Sequence, residues 1–161
     1  MYSGDLFSVI PELDAALATK DDPELQMLRG QIGFVVNDFD AACRHLQASI
    51  QGFDATGEPR RAALAAAWMA WVYMDGFGNR IASRGWFARA KRLLEGEGPC
   101  VERGWVLVCM IGCSVADVAE LEANAVEALA IARSFGERDL EAKALADGGL
   151  ALVSQGGWRT G

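Results

Sequence analysis

His45 is the only histidine among the 161 residues, and that count removes most of the catalytic chemistry such a chain could hold. A Ser-His-Asp or Cys-His arrangement needs an imidazole beside its nucleophile, and zinc sites draw on several His or Cys ligands. Cys43 lies two residues from His45 and projects from a different face of the same helix. Cys109 and Cys113 are four apart, so they share a helical face as zinc or redox ligands would. No C-x-x-C and no second His accompany them, so Cys43, Cys100, Cys109 and Cys113 read as reduced thiols, mostly in the core. A metal site would need Cys43 or Cys100 brought in by the fold, and none is expected. Asp38 and Asp40 flank a turn, where Asp caps backbone amides. Asp21, Asp22 and Glu24 suit a helix start, and Glu120, Glu122 and Glu127 suit a solvated face. Gly76-Phe77-Gly78-Asn79 lacks the Lys-Ser/Thr of a phosphate loop and any strand before it. Arg84, Lys91 and Arg92 form one basic stripe, read as a solvated face with Lys91 paired to Glu95. No catalytic residue and no cofactor are expected, and the chain reads as a non-enzyme.

The elements that carry these residues are helices. Alanine dominates, β-branched residues are few, and hydrophobic residues make up 52% of the chain, a composition that favours close-packed helix. The net charge of −7 excludes a phosphate-binding surface, so no direct nucleic-acid contact is expected. The longest apolar run, residues 62–74, is too short to span a bilayer. The N-terminus lacks the basic start and apolar stretch of a signal peptide, and a cytoplasmic location is expected. Asp21-Asp22-Pro23-Glu24 opens a helix, and Asn37-Asp38 separates it from a second that closes near Gly57-Glu58-Pro59. Asp75 to Asn79 stops a third, and residues 81–95, 101–113 and 117–135 form three more. A further helix begins near Asp139, and a short amphipathic segment, residues 6–17, precedes them all. No stretch alternates with period two, so the fold class is all-α.

Helix pairs begin at Pro23, Pro59, Val101 and Arg138, at intervals of about 36–42 residues. That periodicity is the mark of a helix-pair solenoid, with a coiled coil or four-helix bundle as the plainer competitor. Gly30, twelve residues before Ala42, suits a close helix–helix approach across the turn at residues 37–42. On these residues the chain resembles the tetratricopeptide repeat. A single domain, residues 1–161, is expected, as a right-handed α-solenoid of seven to eight antiparallel helices. Residues 1–22 would form an N-terminal cap, 23–57, 58–98 and 99–136 helix pairs, and 137–161 an unpaired final helix and tail. Gly85-Trp86-Phe87-Ala88-Arg89-Ala90, Pro99-Cys100-Val101-Glu102-Arg103-Gly104-Trp105 and Leu145-Ala146-Asp147-Gly148-Gly149-Leu150 are similar to the repeat region of actinobacterial LuxR-type (MalT-like) transcriptional regulators. That resemblance implies a sensor and interaction region in transcription regulation. No basic helix-turn-helix comes after it here.

In tetratricopeptide folds the first helix of each pair faces an inner groove. The resemblance therefore puts Glu24, Met27, Gln31 and Phe34 there, then Trp68, Val72 and Asp75, then Trp105, Val108 and Lys143. Trp71 is expected in the core. Such a groove suits a protein or peptide partner or, alternatively, a small apolar molecule among Trp68, Trp105 and Met27. The unpaired last helix would leave Leu145, Leu150, Val153 and Trp158 on an open apolar face. A second copy of the chain, another protein, or a continuation into a longer regulator would cover it. The expected function is a non-enzymatic, self-associating, regulatory protein–protein interaction module; the alternative is a small-molecule-sensing effector domain.

Overall fold

Helix ends in this chain are set by side chains that satisfy the free backbone amides. The computed structural model describes residues 6–113 and 117–156, which form eight α-helices and no strand. They are α1 (Leu6–Thr19), α2 (Pro23–Val35), α3 (Phe39–Thr56), α4 (Pro59–Trp71), α5 (Arg80–Leu93), α6 (Val101–Gly112), α7 (Val118–Phe135) and α8 (Arg138–Gly156). Asp22 caps α2 by accepting from the Glu24 amide at 3.0 Å, and Pro23 stands in the first turn. Asp38 caps α3 through the Ala41 amide at 3.1 Å, Asn79 caps α5 through Ala82, and Asp117 caps α7 through Glu120. Gly57 and Gly136, both with φ +72°, end α3 and α7 in the left-handed conformation glycine tolerates.

Neighbours in sequence are neighbours in space. Helix α2 packs on α3, α4 on α5, α6 on α7 and α7 on α8, while α4 also meets α6 and α6 meets α8. Helix α4 is the hub. Its alanines 62, 63, 65, 66, 67 and 70 have no exposed surface, so apolar contact surrounds it, as a helix enclosed by others requires. Two apolar cores result. The larger spans α2 to α6 around Leu46, Ile50, Phe53, Met69 and Phe87. The smaller joins α6, α7 and α8 around Val108, Ile131 and Leu140.

Glycines fix how closely the helices approach. A Cβ on Gly33 would lie 2.9 Å from the backbone nitrogen of Ala42, and one on Gly104 would lie 2.5 Å from Leu140 Cδ2. The α2–α3 approach at Ala42 thus depends on Gly33. Gly30, the expected partner of Ala42, faces Leu46 instead. The turn between them is also shorter than its sequence suggests, because Phe39 to Ala42 already belong to α3.

Helix α4 does not simply stop at Asp75. It passes into a π-helical turn, Val72–Gly76, whose Gly76 lets the Phe39 ring lie directly against the backbone. Such turns insert one extra residue, rotate the chain beyond them, and are common beside functional sites. Here the turn begins directly after Trp71. Helix α1 is attached lightly, by buried Leu13 and by Asp14, which takes a 2.8 Å hydrogen bond from Arg29 Nε.

Candidate functional site

Four helices meet at one cleft. Gln31 comes from α2, Leu64, Trp68 and Trp71 from α4, Trp105, Val108 and Cys109 from α6, and Lys143 from α8. The cleft holds about 460 Å³, within the range typical of small-molecule sites. The contributing helices are alternate ones along the chain, α2, α4, α6 and α8. The residues recur along each helix at the spacing of one turn, so Leu64, Trp68 and Trp71 share a face, as do Trp105, Val108 and Cys109.

Aromatic contacts hold the wall. Trp68 and Trp71 meet edge to face at 5.4 Å between ring centres. Phe34 stacks on Trp71 at 6.0 Å with the planes only 7° apart, and meets Trp68 edge-on at 6.0 Å. Pairs of this kind contribute about 0.5–1.5 kcal/mol each beyond area burial. The chain of rings continues through Phe39 and Phe77 to Tyr73, which ties the cleft wall to the π-helical turn. Trp71 also rests against Gly112, where a Cβ would stand 3.3 Å from the indole. Trp71 is therefore half-buried wall, packed on the core behind and facing the cleft in front.

The polar end of the cleft is a matched ion pair. Lys143 Nζ donates to both carboxylate oxygens of Asp147, at 2.6 and 2.5 Å. Asp147 lies four residues further along α8, and its side chain is only 12% exposed. Cys109 is buried beside this pair, and burial pushes its thiol up to about 12. Lys143 pulls it slightly down and Asp147 slightly up. Burial also raises Cys113, assisted by the neighbouring Cys109 and Asp75. Both thiols stay protonated at neutral pH, which makes them poor nucleophiles and poor metal ligands. Among the described residues no group of three or more His, Cys, Asp or Glu side chains is placed to hold a metal ion.

Of the ten residues expected in the groove, Gln31, Trp68, Trp105, Val108 and Lys143 come together in the cleft. Phe34 stands behind the wall it stacks on. Met27 and Val72 are buried in the larger core, although the period-3.6 count puts Met27 on the groove side of α2. Asp75 is exposed on the π-helical turn, whose extra residue rotates it off the α4 face. Glu24 pairs with Arg61 on α4. The count missed Leu64, Cys109 and Asp147, and it assigned Trp71 to the core although that ring also lines the cleft; each is one helical turn from a residue it found, and that i±3 or i±4 relation is the signal that finds them.

The chain matches no family model, no curated protein and no solved structure.

Two other clefts border α7. One, of about 490 Å³, lies between α7 and α8 and is lined by residues such as Val126, Leu129, Ala144 and Leu145. Val126 is 70% exposed and Leu145 53%. Leu145 thus stands on an open apolar face, while Trp158 and the side chains of Leu150 and Val153 lie outside the described residues. The other, of about 290 Å³, is a charged slot where α5 and α6 barely touch. Arg103 pairs with Glu127 there, and Lys91 reaches Glu120 on α7 at 2.6 Å, in place of the expected Glu95. Glu120 draws Lys91 across because α7 runs beside the end of α5, and a tie between two helices replaces one within a single helix.

His45 serves structure. Its Nδ1 donates to Gln26 Oε1 at 2.7 Å, and burial together with nearby Arg29 lowers its affinity for protons. No nucleophile or carboxylate is hydrogen-bonded to it among the described residues.

Proposed function

We propose that this chain is a non-enzymatic helical-repeat receptor that binds a small apolar molecule in the aromatic cleft. The observation that carries the reading is the convergence of α2, α4, α6 and α8 on one cleft of about 460 Å³ walled by three indoles. That alternate helices line a common cleft also supports a tetratricopeptide-like solenoid, and with it the resemblance to the sensor region of LuxR-type regulators. On that reading ligand occupancy would lock four helices together and alter how the chain meets a regulatory partner. The nucleophilic side chain at the cleft, Cys109, is held protonated by burial, which supports binding without turnover.

A second reading has its own support in a different place. The exposed Val126 and Leu145 beside the α7–α8 cleft make an apolar surface suited to a protein partner or a second copy of the chain.

Tryptophan emission separates the two. Titration of the whole chain with neutral two-ring aromatics is expected to quench Trp68, Trp71 and Trp105 saturably, whereas apolar peptides leave emission unchanged. Saturable quenching by peptides with no response to the ring compounds would overturn the receptor reading.

A further inference from the structure

We infer that the cleft selects neutral over anionic ligands, flat molecules of about two rings, and that the Lys143–Asp147 ion pair enforces this selectivity. The inference rests on the receptor reading above and adds the chemical class of ligand. Six of the lining side chains are apolar or a protonated thiol: Leu64, Trp68, Trp71, Trp105, Val108 and Cys109. They offer an anion nothing, since indole faces attract only cations. The cation among the lining residues, Lys143, already holds both oxygens of Asp147 at 2.5 and 2.6 Å. Asp147, 12% exposed, has little water to fall back on if its partner is taken.

An incoming carboxylate therefore has two unfavourable choices. It can share the ammonium, which brings it close to the like charge of Asp147, or it can capture the ammonium and leave Asp147 without a partner. Lys143 is 39% exposed and can be drawn away, but the 12%-exposed Asp147 carboxylate is then left poorly solvated and unpaired. A neutral molecule meets neither penalty. The Gln31 amide, which can donate or accept, supplies a hydrogen-bonding handle without charge. Flatness comes from the walls, because Trp68 and Trp71 are locked by Phe34 and Gly112 and present fixed ring surfaces.

The test is calorimetric titration of the whole chain with 2-naphthol and with 2-naphthoate, which share a ring system and differ in charge. The wild-type chain should bind the neutral compound at least about tenfold more tightly. Asp147→Asn keeps the shape and frees the ammonium, so naphthoate affinity should rise at least about tenfold while naphthol changes less than about threefold. Lys143→Met, which leaves Asp147 alone, should weaken naphthoate further, and circular dichroism checks that both variants keep their helix content. Equal wild-type affinity for the two compounds overturns the inference, as does an Asp147→Asn variant with an unchanged ratio. Binding of neither compound defeats the receptor reading itself, a result distinct from loss of charge selectivity.

Discussion

Two helical glycines of this chain should respond to the same substitution with opposite sign. Gly33 on α2 and Gly85 on α5 both sit inside helices, where alanine is favoured over glycine by about 1 kcal/mol. A Cβ on Gly85 meets nothing within 4 Å, so Gly85→Ala should stabilise by up to about 1 kcal/mol. A Cβ on Gly33 meets the Ala42 nitrogen at 2.9 Å and the Ala42 Cα and Asp38 oxygen at 3.1 Å. These atoms are backbone, and they yield only if α2 and α3 move apart. Overpacking costs about 1–3 kcal/mol, and rigid neighbours put this site toward the upper end. After the gain in helix propensity, Gly33→Ala should lose about 1–2 kcal/mol. Effects on the unfolded chain are alike for the two variants, so their difference isolates the contact at Ala42. Thermal unfolding followed by circular dichroism should show Gly85→Ala raised by about 2–4 °C and Gly33→Ala lowered by roughly 3–8 °C. A Gly33→Ala variant as stable as Gly85→Ala would refute the close α2–α3 approach, and with it the position of Gln31 in the cleft.

Other consequences are as direct. In the folded chain a maleimide should label half-buried Cys43 ahead of Cys109 and Cys113, whose thiols are buried and held protonated; mass spectrometry of labelled peptides reads the order, and fast labelling of Cys109 would contradict its burial. The folded-state pKa of His45 lies below its usual 6.5, so the unfolded state binds the proton more tightly. Its contribution is intact above about pH 6.5 and is lost as pH falls toward the lower folded value; urea titrations should show that slope flattened in His45→Gln. Asp14→Ala strands the 6%-exposed Arg29 guanidinium, whose Nη1 already lacks a hydrogen bond, and should loosen α1 by about 1–3 kcal/mol. Hydrogen exchange should then quicken in residues 8–19 and stay unchanged in α4.

The elements were legible because their ends carry chemistry. Asp22-Pro23, Asp38, Asn79, Asp117, Gly57 and Gly136 each do in the structure what their residue types imply. The π-helical turn was not legible, since Val72 to Met74 continue the apolar pattern, Asp75-Gly76 read as a plain helix stop, and Phe39 seats on Gly76. That is a tertiary contact with no local signature. The same limit explains Met27, which has the right helical phase and is covered by helices that its own periodicity says nothing about. Part of the cleft was legible for the converse reason. Gln31, Trp68, Trp105 and Lys143 recur at near-equal intervals on alternate helices, which the fold brings side by side, and Val108 lies one turn from Trp105. Asp147 escaped notice because its role depends on Lys143 pointing into a cleft that only the assembled helices create.

Trp68, Trp71 and Trp105 are proposed to form one binding wall. Fluorine NMR of the chain labelled with fluorotryptophan tests this, with the five indole resonances assigned by single Trp→Phe variants. On saturation with 2-naphthol the signals of Trp68, Trp71 and Trp105 should move together with one apparent affinity. The signal of Trp86, which packs under the Arg89 guanidinium on α5, should stay in place. A shift confined to Trp86, or saturation that leaves all three cleft signals unmoved, would rule out a shared indole wall.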